Sequence, residues 1–291
     1  MTPRGRRWLP FLFLTPALAL LGCFVFYPVV RAAITSLTDW NGISTTSDFV
    51  GLRNYARILV DPEVLHAVLD TLRYVGLTLP ISLVLAFLAA LAVERASFAS
   101  SVLRMAFAIP FVISIPVVSI VWVWIFDPDF GLLNYGLSLA GLPGQSLLTH
   151  SSTAMVGIAI PSVWGQFGYF MLILLAGMKN IDPAYYEAAR IDGAGAATRA
   201  WRITLPLLGP QLFFCLVLGV IDAFQVFAQV DLMTQGGPLE STNVIVYDLY
   251  QQAFSYFHIG YASAMAILLM LGLGLITFVQ QRWLGSKVFY Q

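Results

Sequence analysis

Polar residues enter this chain as short interruptions between long apolar runs. Six runs are long enough to cross a hydrocarbon core, which takes about 20 mostly apolar residues. They lie at roughly 9–30, 67–93, 103–126, 153–177, 207–230 and 262–284. None alternates with a period of two, and each is longer than a barrel strand of about 10 residues. In lipid every backbone polar group must be satisfied within its own segment, so these runs predict helices. The expected fold is an all-α integral membrane protein, with six transmembrane helices forming a single domain over 1–291.

Helix breakers mark several runs. The third holds Pro110 and Pro116, and the fourth holds Gly157, Pro161, Gly165 and Gly168. Such residues either line a cavity or let helices approach closely, and the pattern alone fits both. Between runs, Asn41-Gly42 and Asp61-Pro62 signal turns in the segment 31–66. Leu132, Leu133, Leu137, Leu139 and Leu142 predict an interfacial helix between 130 and 148.

Composition agrees with the pattern. Of 291 residues, 59% are hydrophobic and 10% charged, with a mean hydropathy of +0.81. A soluble domain carries about a quarter charged residues, so this chain needs lipid as solvent. Its net charge of zero gives no electrostatic footprint for nucleic acid. The placement of charge says more. Arg4, Arg6, Arg7, Arg95, Arg104, Lys179, Arg190, Arg199, Arg202, Arg282 and Lys287 all fall before the first run, at or beyond the end of the last, or in loops 94–104 and 178–204. Loops 127–152 and 231–261 have no Lys or Arg, and only 31–66 breaks the pattern, with Arg31, Arg53 and Arg57 against Asp39, Asp48, Asp61 and Glu63. Basic residues gather on the cytoplasmic side, so both termini are expected there. The first run is longer than a signal peptide's apolar core and stays apolar through Phe24, Val25, Phe26 and Val29, so it reads as a retained helix. Cys23 and Cys215 lie within runs, which speaks against a disulfide or a metal pair.

The segment 178–206 stands apart. Asp182 is an N-cap, Pro183 suits the first helical position, and a helix follows to about Ile191. Gly193 then sits where positive φ would end it. A second short helix starts near Ala194, and Pro206 opens the next run. A stiff helix held along the membrane could serve a partner as a knob, with the small Ala184, Ala188 and Ala189 allowing close approach. Glu187, Arg190 and Asp192 would offer charged contacts. An ordinary solvated loop fits the same residues.

The string Glu187-Ala188-Ala189-x-x-Asp192-Gly193-Ala194, with Ile203-x-Leu205-Pro206 beyond it, closely resembles the coupling-loop motif of binding-protein-dependent ABC importer permeases. Phe49-Val50-Gly51-Leu52-x-Asn54-Tyr55, Gly236-Gly237-Pro238 and Gly260-Tyr261-Ala262-Ser263-Ala264 resemble the sugar branch of that family, which imports oligosaccharides and glycerol phosphate, and in particular the larger maltose-type permease. Ala200 stands where such permeases often carry an aromatic residue, with Trp201 beside it. The resemblance implies one permease subunit of an ATP-driven importer in a prokaryotic inner membrane. It further implies four kinds of partner: a second homologous permease, two ATP-binding subunits, an extracytoplasmic solute-binding protein and a sugar. Glu187, Ala188, Ala189, Asp192, Gly193 and Ala194 would dock into the ATPase. No cofactor is expected in this chain. A phosphate-binding loop needs Gly-Lys followed by Ser or Thr, and Lys179 and Lys287 follow Met178 and Ser286, so ATP and Mg²⁺ belong to the partner.

Polar side chains inside spans are costly and usually face a bundle interior or a pathway. Asp222, Gln225 and Gln229 fall at i, i+3 and i+7, one face of a continuous helix. Ser162, Gln166 and Tyr169 share a face of the fourth run, with Trp164 nearby. Amides and carboxylates satisfy sugar hydroxyls and aromatic faces pack on the ring, whereas the same groups also act as interhelical glue. In similar maltose-type permeases, sugar contacts come from the spans flanking the coupling loop, which are these two. Asp70 and Arg73 read as a local ion pair. A permease for another polar solute remains open. A secondary transporter would need an ion-coupling site or symmetric repeats. A membrane enzyme would need a nucleophile–base or metal-ligand cluster, and His66, His150 and His258 all lie in or beside loops.

Overall fold

The computed structural model describes residues 9–94 and 97–283. Arg4, Arg6, Arg7, Arg95 and Lys287 lie outside the described residues. Helices α1 (Leu9–Leu21) and α2 (Tyr27–Thr35) run on through a π-helical turn at Gly22–Phe26. There follow α3 (Arg53–Ile58), α4 (Pro62–Val93), α5 (Phe98–Val112), α6 (Ile115–Ile125), α7 (Leu132–Leu139) and α8 (Ala154–Met178). Next come α9 (Pro183–Ile191), α10 (Ala196–Arg199), α11 (Leu205–Leu207) and α12 (Gly209–Phe224). The chain closes with α13 (Ala228–Met233), α14 (Ile245–Tyr250) and α15 (Ile259–Trp283). The leucine-rich segment between 130 and 148 forms α7, as its pattern predicts.

Among the described residues, four helices are long and apolar enough to cross a membrane: Phe13–Thr35, α4, α8 and α15. Two bent pairs bring the number to six if each counts as one span. They are α5 with α6, bent by 101°, and Ala196–Leu207 with α12, bent by 69°. Proline explains both bends. Pro116 cannot donate to the carbonyl of Val112, the last residue of α5, and Pro210 cannot donate to that of Pro206. The run 103–126 is therefore two helices rather than one.

The run 207–230 departs further from its expectation. Its helix stops at Phe224 and a separate helix starts at Ala228, although no proline or glycine stands between them. The break buries Val226 and Val230 in a cluster with Tyr74, Phe126, Ile158 and Val244. Nonlocal packing outweighs the local preference to continue the helix.

By its internal contacts the chain forms two compact units. One holds the described residues up to Pro62 with Leu249–Gly272, the other Glu63–Asp248 with Leu273 onward. In the first, Asn54 Nδ2 donates to the carbonyls of Ser36 (2.8 Å) and Thr38 (2.9 Å), and the Tyr55 hydroxyl meets Ser36 Oγ at 2.7 Å. The Gly260 N–H reaches the Trp40 carbonyl at 2.9 Å. Tyr261 donates to Asp61 Oδ2 at 2.8 Å, and the Arg57 guanidinium lies 4.7 Å from its ring centroid.

The second unit has two apolar clusters. One gathers Phe87, Phe170, Met171, Leu174 and Leu208 from α4, α8 and the break before α12. The other is the cluster around Val230. A Cβ added at Gly168 would overlap the Phe107 carbonyl of α5, so this glycine is present for close packing. Gly165 meets nothing within 4 Å. Asp70 and Arg73 form the expected pair at 2.7 Å, with Asp70 buried and Arg73 mostly exposed.

Candidate functional site

Two candidate regions lie in the second unit, and α8 connects them. Midway along α8, Gln166 Nε2 donates to Asp222 Oδ2 of α12 at 3.0 Å. Asp222 is otherwise exposed and its Oδ1 has no partner among the described residues, so the carboxylate keeps acceptor capacity. One turn earlier, the Tyr74 hydroxyl of α4 donates to Ser162 Oγ at 2.6 Å, and Ser162 in turn donates to the Ile158 carbonyl at 3.0 Å. Three helices thus converge on a polar cluster that hydrogen bonds hold in one arrangement.

Not every expected residue joins it. Ser162 is present, but its hydroxyl is already engaged on both sides. Trp164 packs edge-on against Trp122, with ring centroids 5.9 Å apart. Tyr169 stacks on Phe111 at 4.3 Å and 8°. Gln225 caps the C-terminus of α12 and is exposed beside Asp222. Gln229 belongs to α13, so the single face expected for Asp222, Gln225 and Gln229 does not exist. The helix break that buries Val226 and Val230 removes it.

Tyr74 escaped the sequence argument. A signal was present, because Thr71, Tyr74, Thr78 and Ser82 recur at helical spacing and all are buried on α4. An apolar helix that hides a hydroxyl stripe turns it toward other protein.

The second region is α9 and its flanks. Asp182 Oδ1 accepts the Ala184 N–H at 2.9 Å, with Pro183 following, so the N-terminus is closed as expected. At the other end Gly193 has φ +77°. The Gly193 N–H bonds the Arg190 carbonyl at 3.1 Å and the Ala194 N–H bonds that of Ala189 at 2.8 Å, a complete Schellman motif. Ala189 and Ala194 are half-buried and close this bend, rather than facing outward with Ala184 and Ala188. Glu187 and Asp192 are exposed, with no side-chain partner among the described residues. Ile191 is 87% exposed, which leaves an apolar group between unspent charges. Tyr186 is the residue the sequence reading missed here, and its hydroxyl meets Thr204 Oγ1 at 3.0 Å.

Long apolar helices broken at prolines, a polar cluster between them and a capped, exposed helix at one end describe a polytopic membrane protein. Residues 65–290 match the family described as "Binding-protein-dependent transport system inner membrane component", and the chain belongs to it. It is 31% identical over 285 residues to the sn-glycerol-3-phosphate transport system permease protein UgpA of Yersinia pestis bv. Antiqua (strain Antiqua), covering 98% of this chain and 96% of that protein. It is 32% identical over 283 residues to the UgpA of Agrobacterium fabrum, with coverages of 97% and 96%. The fold matches a solved bacterial ABC transporter involved in the import of the acidic polysaccharide alginate, at a TM-score of 0.85 and 23% identity over 97% of this chain and 96% of that one. A second alginate transporter structure, in complex with an alginate pentasaccharide-bound periplasmic protein, gives 0.84 and 23% over 96% and 94%. The chain is thus an inner-membrane permease and not an enzyme: it works with a binding protein, and ATP is hydrolysed in a separate subunit.

Proposed function

We propose that this chain is one permease subunit of an ABC importer for a sugar and forms half of its translocation pathway. The Gln166–Asp222 pair carries the reading. It joins the spans on either side of α9, and it offers a carboxylate oxygen to a hydroxylated solute on its open side. In this reading the chain crosses the membrane six times with both termini in the cytoplasm. A second permease completes the pathway, two ATP-binding subunits supply ATP and Mg²⁺, and α9 docks into one of them through Glu187, Ala188, Asp192 and Ile191. Gln166, Asp222 and Gln225 contact the solute, while Ser162, Trp164 and Tyr169 shape the wall.

The relatives' name favours a second reading, import of sn-glycerol 3-phosphate. A carboxylate in the pathway weighs against it, because two like charges about 4 Å apart repel by about 4 kcal/mol in surroundings of intermediate dielectric. Accumulation of labelled maltose, trehalose, sucrose and sn-glycerol 3-phosphate by cells carrying the complete transporter decides between them. A neutral sugar is expected to accumulate, and Asp222→Ala to abolish its uptake or change its preference while the complex still assembles. Full uptake at wild-type affinity by Asp222→Ala would remove Asp222 from the pathway. If the pair were glue alone, the change would cost only about 0.6 kcal/mol of stability, up to nearly 2.

A further inference from the structure

The second unit contains a cavity of about 450 Å³ at the end of α8 remote from α9. The end of α6, the loop before α8 and the loop after α13 border it as a half-open cleft, and Asp127, Ser146, Thr149 and Gln235 line it beside Phe126 and Leu148. It is separate from the Gln166–Asp222 pair. Six-residue α13, about 9 Å long, stands between Gln225 and the cavity wall. Along α8, Gln166 lies about 18 Å from Ala154, where that helix begins.

Three of its polar groups keep bonding capacity, while Thr149 Oγ1 already donates to the Ser146 carbonyl at 3.3 Å. Asp127 Oδ1 accepts the N–H groups of Asp129 (2.9 Å) and Phe130 (3.1 Å), which fixes the carboxylate and leaves Oδ2 open. The hydroxyl of Ser146 and the amide of Gln235 have no hydrogen-bond partner among the described residues. Gln235 also holds φ +50°, a conformation that costs a non-glycine residue about 1–2 kcal/mol. Its loop keeps it there: the Gln235 N–H bonds the Val230 carbonyl at 2.7 Å, and Thr242 Oγ1 meets Thr234 Oγ1 and the Gly237 carbonyl, each at 2.8 Å. The bend ends α13 and holds Gln235 at the edge of the cavity.

We propose that this cavity is a solute-binding site where a neutral sugar pauses before it reaches the Gln166–Asp222 pair. The inference rests on the pathway proposed above. The size is that of a small-molecule pocket, which runs from about 300 to 1,000 Å³ with a few convergent polar groups. The chemistry selects the ligand. A carboxylate and an amide accept from sugar hydroxyls, a serine hydroxyl and the amide NH₂ donate to them, and the apolar wall covers C–H faces. The lining residues include a carboxylate and no Lys or Arg, so a phosphate or uronate is disfavoured.

The test uses the assembled transporter with a single reporter cysteine, either Thr149→Cys or the isosteric Ser146→Cys. Labelling by a bulky charged maleimide is timed with maltose, trehalose, sucrose, raffinose or sn-glycerol 3-phosphate. At about ten times its dissociation constant, a bound sugar should slow labelling about tenfold. The expected result is protection of both reporters by a neutral sugar and none by sn-glycerol 3-phosphate. A reporter at Ser138→Cys, on α7 outside the cavity, should be unaffected. Protection should persist in an Asp222→Ala background. Labelling that no sugar slows, protection by the phosphate alone, or protection lost with Asp222→Ala would each overturn the proposal. The uptake assay is independent of this one, so sugar import with no cavity protection would leave the permease reading standing and remove only the second site.

Discussion

The Tyr186 hydroxyl lies 3.0 Å from Thr204 Oγ1, which joins α9 to the π-helical turn at Ala200–Thr204. That turn leads through α11 into α12, the helix that carries Asp222. Displacement of α9 by a docked partner would therefore pull on the base of α12 through a side-chain link as well as through the backbone. Tyr186→Phe removes one hydrogen bond, worth about 0.5–1.5 kcal/mol net. The expected outcome is a normal yield of assembled complex with fewer solutes moved per ATP hydrolysed in proteoliposomes. An unchanged ratio would show that the hydroxyl plays no part in transmission.

Gly193 offers a sharper test of the same loop. At φ +77° a valine is strongly disfavoured, whereas asparagine tolerates the left-handed region. Gly193→Val should lower uptake and retention of the ATPase subunit while membrane insertion survives, and Gly193→Asn should keep most of both. Equal transport by the two variants would mean that the bend is dispensable.

Gly168 and Gly165 separate packing from local preference on α8. Gly168→Ala drives a methyl into the backbone of α5, which cannot rotate away. Overpacking of this kind costs about 1–3 kcal/mol, so the purified complex should melt earlier or assemble poorly. Gly165→Ala meets open space and gains about 0.5–1 kcal/mol of helix preference. Its melting temperature should hold or rise. A loss at Gly165 equal to that at Gly168 would refute the packing account.

The basic loops predict a sidedness that labelling can check. In intact cells, Ala140→Cys and Glu240→Cys should react with an impermeant thiol reagent, while Gly195→Cys and Ala99→Cys should react only after lysis. Labelling at 195 from outside would overturn the six-span arrangement.

Features that depend on neighbours in sequence were legible. Asp182, Pro183 and Gly193 close α9 by local bonds, and Pro116 breaks its run because a missing N–H acts at fixed spacing. The end of α12 was not legible, because it depends on where Val226 and Val230 are buried rather than on any breaker. That one event separated Gln229 from Asp222. Partnerships across long separations were equally hidden. Tyr74 finds Ser162 88 residues away, and only the hydroxyl stripe on α4 hinted that the residue faces protein.

Nine residues are too few for a helix to persist alone in water, where isolated helices shorter than about 12–15 residues are marginal. Helix α9 nevertheless has both ends closed by its own chain and one side tied down by Tyr186. Ordering a residue costs about 1–2 kcal/mol of conformational entropy, and here that cost falls on the folding of the permease rather than on its encounter with a partner. A subunit that grips this helix meets a finished shape, and one that lets go leaves it intact. In the docking role proposed for α9, the contact is made and broken at every turnover without a refolding step to slow the cycle.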